Sequence, residues 1–101
     1  MTAAEDGLDE VMVALAQRAH ARNRDRARRV AELLTAPAGT IEPAAYEEVA
    51  RLCHTMAGSA ATFGEEHLAA ASARLEAVLR EGPDGDVPAA LDALRAAAGT
   101  D

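Results

Sequence analysis

The sequence predicts an all-α fold, an antiparallel four-helix bundle with a short extra helix at its N-terminal end. Three observations carry that expectation. Apolar residues recur at i, i+3, i+4 and i+7 over most of the chain, the spacing of a buried helix stripe. Half of the residues are apolar, yet much of that half is alanine, the best helix former, and only Tyr46 and Phe63 are aromatic. Runs of alternating β-branched and aromatic residues, which mark strands, are missing. At 101 residues the chain is one domain, 1–101, with its helical core over about 8–98. A domain of this size buries about two-thirds of its unfolded surface. Alanine-rich stripes supply little bulk, so the helices pack closely around a thin core.

Met1 to Gly7 is polar and is expected to fray. Leu8, Val11, Met12, Leu15 and Ala19 then share one helix face, and the stripe resumes at Ala27, Val30, Leu33 and Leu34. Between them Arg18 to Arg29 holds six arginines and few large apolar residues, which predicts a break there: a short first helix and a longer second. Pro37 and Gly39 stop the run. Pro43 suits the first turn of the next helix, which ends at Gly64 in a left-handed cap. Glu65 to Glu81 forms the following helix, with Leu68, Ala71, Leu75, Val78 and Leu79 facing inward. Gly82 to Asp86 is a turn, and Pro88 opens a last helix through Leu91, Leu94 and Ala98.

The helix from Pro43 to Gly64 carries the most informative residue. At about 100° per residue, Glu47, Ala50, Arg51, Ala57, Gly58 and Ala61 all lie within roughly 60° of His54. Val49, Leu52, Cys53, Met56, Ala60 and Phe63 gather on the opposite, apolar side. An imidazole standing out on a rigid helix and ringed by small side chains is set up to be reached by another macromolecule. Gly58 strengthens the point, because glycine inside a helix costs about 1 kcal/mol against alanine. It follows His54 by one turn, where any side chain would obstruct a partner.

Other features read as structural. His20 and His67 are surface side chains. Cys53 is next to His54 in sequence, but adjacent helical residues diverge by about 100°, so the two make no catalytic pair. Three histidines and one cysteine show no metal-ligand spacing. Ser59 is a small packing residue. All ten basic residues are arginine, yet the net charge is −7 and the pI about 4.8, and no aromatic is interleaved to stack on bases, which argues against nucleic acid. The arginine-rich stretch is a solvated face or, at Arg18 and Arg22, a basic rim that would speed encounter with an acidic partner. No run approaches the 18 or so apolar residues of a membrane span, and no signal-peptide pattern opens the chain. One cysteine makes no internal disulfide, which fits a reducing, cytoplasmic setting.

The stretch His54-Thr-Met-Ala-Gly-Ser-Ala-Ala-Thr-Phe-Gly64 resembles the signature of histidine-containing phosphotransfer (HPt) domains. That signature reads His, any residue, an aliphatic, usually Lys, then Gly, Ser or Ala, Ala or Gly, and further on an apolar residue followed by Gly. Downstream, Leu68, Ala71, Leu75 and Glu76 resemble the apolar stripe and closing Leu-Glu of the family's next helix. The usual Lys three residues after the histidine is Ala57 here, and Arg51 is the candidate for the positive charge that Ala57 lacks.

The resemblance implies phosphorelay transfer. His54 accepts a phosphoryl group from a receiver-domain aspartyl phosphate and passes it to another receiver aspartate. An imidazole's ordinary pKa of about 6.5 leaves it mostly neutral, hence nucleophilic, at pH 7. Partners would be response-regulator receiver domains and a hybrid histidine kinase, docking over Ala50, Arg51, Ala57, Gly58 and Ala61. The chain itself would bind no metal and no cofactor, Mg²⁺ residing on the receiver, and would act as a monomeric phosphotransfer intermediate without kinase activity. The competing expectations are an HPt-fold module that binds a receiver without transfer, and a structural or dimerising helical bundle.

Overall fold

A computed structural model of the chain describes residues 3–37, 40–81 and 86–100. Four helices run α1 (Ala3–Leu34), α2 (Pro43–Thr62), α3 (Glu66–Glu81) and α4 (Val87–Ala98), with no strand among the described residues. α1 packs on α2 and α4, α2 on α3, and α3 on α4, so the helices close a ring around one core. The all-α four-helix bundle read from the sequence is the fold.

The extra N-terminal helix is not there. α1 is one continuous helix through Arg18–Arg29, and it is already helical at Ala3, within the segment expected to fray; Met1 and Thr2 lie outside the described residues. The physical reason is that arginine and alanine are strong helix formers and no glycine or proline interrupts α1 after Gly7. The inward stripe also continues across the arginines in small or polar form, as Ala19, Asn23, Ala27 and Val30, all fully buried. Large apolar residues are not needed where helices approach this closely.

A second departure concerns the core, which begins at Ala19 and not at Leu8. Leu8, Val11, Met12 and Leu15 are 62%, 54%, 50% and 40% exposed. α2 and α3 meet at a turn level with His20 and Asn23, and α1 runs past it; at 1.5 Å per residue its first sixteen residues extend about 24 Å beyond. The 58 Å long axis of a molecule only 22 × 19 Å in section comes from this overhang.

Elsewhere the stripes pack as their spacing demands. Val49, Cys53, Met56 and Ala60 of α2 meet Leu68 and Leu75 of α3 and Ala90, Leu91, Leu94 and Ala98 of α4. Leu52, Ala71, Val78 and Leu79 are half-buried against it, and Phe63 is half-buried at the end of α2. Pro43 opens α2, and Asp86 caps α4 by accepting a hydrogen bond from the Ala89 amide at 3.1 Å. The turn expected at Gly82–Asp86 otherwise lies outside the described residues, as do Ala38 and Gly39.

The α2–α3 turn fixes the register of the helix that carries His54. Gly64 has φ +79°, the left-handed conformation that favours glycine. Its amide donates to the Ala61 carbonyl at 3.5 Å and the Glu65 amide to that of Ala60 at 2.8 Å, closing the helix end. A polar cluster then ties the turn to α1. Asn23, with no exposed surface, donates through Nδ2 to Ser59 Oγ at 3.3 Å and to Glu65 Oε2 at 3.5 Å, while Arg26 donates to Asn23 Oδ1 at 2.8 Å. His20 joins it through an Nδ1 contact with Glu65. His20 and Ser59 therefore hold the bundle together, beyond the surface and packing roles their types suggest.

Candidate functional site

Midway along α2, Cys53 faces the core and His54 faces solvent. Cys53 is fully buried, and that burial pushes its thiol up to about 12, with the charge of Glu76 adding to the rise. It stays protonated at neutral pH and offers no nucleophile. The His54 side chain is 80% exposed. Of the small ring around it, Gly58 and Ala61 are exposed and Ala50 and Ala57 half-buried, while Arg51 is exposed one turn before. A Cβ built on Gly58 meets nothing within 4 Å. The fold itself therefore does not require glycine there. His67 is exposed on α3.

α3 supplies what the histidine needs on its other side. Nδ1 of His54 lies 3.3 Å from Oε1 of Glu76, whose side chain is only 15% exposed. Arg80, one turn on, donates to Oε2 of the same carboxylate at 2.8 Å. The Arg80 hydrogen bond holds the Glu76 carboxyl below its ordinary range; partial burial opposes this, and the His54 contact adds to it. An ionised carboxylate only accepts, so Nδ1 is the ring nitrogen that donates, and in the neutral ring Nε2 keeps its lone pair. The tautomer with the outer nitrogen free is the nucleophilic one.

His54, Glu76 and Arg80, with Glu47, Ala50 and Arg51, line an open cleft of about 360 Å³. Two guanidinium groups thus flank the histidine. Arg51 lines the cleft one turn before the histidine, and Arg80 is a second cation that sequence reasoning does not single out. Its signal is the i, i+4 spacing from Glu76 on the helix facing His54. Arg18 and Arg22 are exposed on α1 and do not line the cleft. Among the described residues no group of three or more His, Cys, Asp or Glu is placed to hold a metal ion, and no helix is long and apolar enough to cross a membrane.

No curated protein and no solved structure matches the chain. The family model of the Hpt domain matches residues 5–99, from the first turn of α1 to the cap of α4. Its span covers the helix that presents His54, the Gly64 turn and the helix that supplies Glu76. The chain belongs to the Hpt domain family, whose members transfer phosphoryl groups through a histidine in phosphorelays.

Proposed function

We propose that His54 is the phosphoacceptor of a phosphorelay, taking its phosphoryl group from the aspartyl phosphate of one receiver domain and giving it to the aspartate of another. The observation that carries this is an exposed imidazole whose Nδ1 is engaged by Glu76, so that Nε2 alone is free to attack. The Nε2 lone pair forms the N–P bond as the acyl-phosphate P–O bond breaks and the donor carboxylate leaves. The ring, still bearing its Nδ1 proton, acquires positive charge, which the ionised Glu76 stabilises. Transfer onward reverses each step. In the unphosphorylated state Arg80 is bonded to Glu76 and Arg51 stands one turn away; both guanidinium groups are within the cleft the phosphoryl group would enter.

In this reading the chain contributes a positioned nucleophile and a landing surface, and Mg²⁺ and the acidic residues are the receiver's. Ala50, Ala57 and Ala61 flatten the contact, Gly58 leaves it open, and Arg51 borders it. Arg18 and Arg22 would act at a distance, by steering. The protein works in the cytoplasm, where its single thiol stays reduced. Labelled phospho-receiver should label the chain, and ATP with Mg²⁺ alone should not, since no nucleotide-binding motif is present. Labelling by ATP alone, or none from any phospho-receiver, would overturn the assignment.

A further inference from the structure

The overhanging end of α1 has no role in the site described above. It carries five large apolar side chains at least two-fifths exposed; Leu8, Val11, Met12 and Leu15 share one helix face, and Val13 lies on the opposite one. The four continue the stripe that is covered by α2 lower down, at Ala19, Asn23 and Ala27, where the bundle supplies a neighbour. Beyond the Gly64 turn, the neighbour ends and the stripe does not. We propose that a second copy of this chain covers it, the two α1 overhangs pairing antiparallel about a two-fold axis between Val11 and Met12.

Three features select a second copy in this orientation. The stripe reads the same in reverse: Leu8 falls level with Leu15 of the other copy and Val11 with Met12, so each of the four stripe residues meets another, and Val13 stays outside the seam. The overhang also matches its own length. The second helix would run in the direction of α2 and start where α2 stops, at the Gly64 turn, without entering the bundle. Charge complementarity then sets the direction. Asp9 and Glu10 are near the free end and Arg18 and Arg22 at its root, all exposed. Antiparallel pairing brings Glu5 level with Arg18 of the other copy and Asp9 and Glu10 within about 8 Å of that level along the axis, whereas parallel pairing would set like charges together. Gly7 and Ala14 on one flank and Ala16 on the other leave the backbones room to approach.

A contact of about four helical turns is at the small end of specific interfaces, about 1,200 Å² and below. Half-association on the order of 10–100 µM is therefore expected. Sedimentation equilibrium tests this without reference to phosphotransfer. The mass should rise with concentration from 10.5 kDa toward twice that value. The Leu8→Glu/Leu15→Glu variant should stay monomeric, keep its helical circular dichroism and still be labelled on His54 if the chain is a phosphoacceptor.

Orientation is read by disulfide trapping. Mixed Leu8→Cys and Leu15→Cys chains should cross-link to each other, and neither should cross-link to itself. Identical positions would be about 10 Å apart along the axis, beyond the reach of a disulfide. A wild-type chain that remains monomeric at about 500 µM, fivefold above the weakest affinity expected, would overturn the proposal, and so would an undiminished dimer in the Glu variant. A monomeric wild type whose Glu variant is labelled more slowly by a receiver would assign the face to the receiver instead, and would overturn it equally.

Discussion

His54 and His20 each turn Nδ1 toward a carboxylate on or next to α3, Glu76 for the first and Glu65 for the second. The pair chemistry is the same, but the settings are not. The His54 side chain is 80% exposed and that of His20 37%. Around His54 are alanines and an open glycine, while Glu65, the partner of His20, is shared with Asn23, which is wholly buried and bonded in turn to Ser59 and Arg26. One pair presents a ring nitrogen to a visitor; the other pins α1 to the α2–α3 turn. A histidine–carboxylate pair is thus no site by itself. What makes one is the clearance around the free nitrogen.

The sharpest test of that contrast exchanges the two histidines for glutamine. His54→Gln should lose all labelling by phospho-receiver while its stability changes by no more than about 0.5 kcal/mol, as is usual for an exposed position. His20→Gln should be labelled at the wild-type rate. Labelled protein digested and mapped by mass spectrometry checks both, and phosphate on His20 would break the comparison.

Clearance itself is tested next. Because a Cβ at Gly58 meets nothing, Gly58→Leu should fold at least as well as wild type, gaining about 0.5–1 kcal/mol from helix propensity. It should nevertheless slow transfer at least tenfold, because the new side chain stands where the receiver must land. Chemical denaturation and the labelling rate measure the two halves separately. A normal rate in the Leu variant would show that docking avoids Gly58.

The pinning cluster should respond in the opposite sense. Asn23→Ala removes the donor to Ser59 and Glu65 and the acceptor of Arg26, a buried loss of about 1–3 kcal/mol. In a domain of this size each kcal/mol lowers Tm by about 4–8 °C. Labelling of His54 should stay within twofold of wild type below the melting range. A variant with unchanged Tm would show that water replaces the cluster at no cost.

How much of this was legible in the sequence depends on distance along the chain. The ring around His54 and the glycine one turn on belong to a single helix, where a period of 3.6 residues fixes who neighbours whom. Gly64 was legible for a similar reason, as a glycine just past the last apolar position. Glu76 was visible as part of a family motif but without a task, and Arg80 not at all, because both act across a helix–helix contact 22 or more residues away. Bulk is a poor mark of where α1 packs, and so of its length: Ala19, Asn23 and Ala27 bury as fully as Val30. The exposure of Leu8–Leu15 follows from a comparison of whole elements. A 32-residue helix outruns the 20-residue partner that would cover it, which no local pattern reports.

The smallest expected effect concerns the charge around the histidine. Arg80 is 69% exposed and bonded to Glu76, so solvent screens whatever it contributes to a phosphoryl group on His54. An exposed pair of this kind is worth about 0.2–1 kcal/mol, which at 1.4 kcal/mol per factor of ten is at most about fivefold. Arg80→Ala should therefore shift the transfer equilibrium away from phosphohistidine by up to about fivefold, and Ala57→Lys in the same chain should recover it. Both effects should shrink in high salt. Arg80 also holds the Glu76 carboxyl below its ordinary range, so that pair stabilises the fold above this range and ceases to do so as pH falls through the lowered value. In Arg80→Ala the loss should begin at a higher pH, and acid unfolding monitored by circular dichroism should move up accordingly. Between pH 5 and 8 Glu76 stays ionised in wild type. If Ala57→Lys abolishes transfer in place of rescuing it, the receiver packs directly on Ala57, and that residue is a docking contact that no cation can replace.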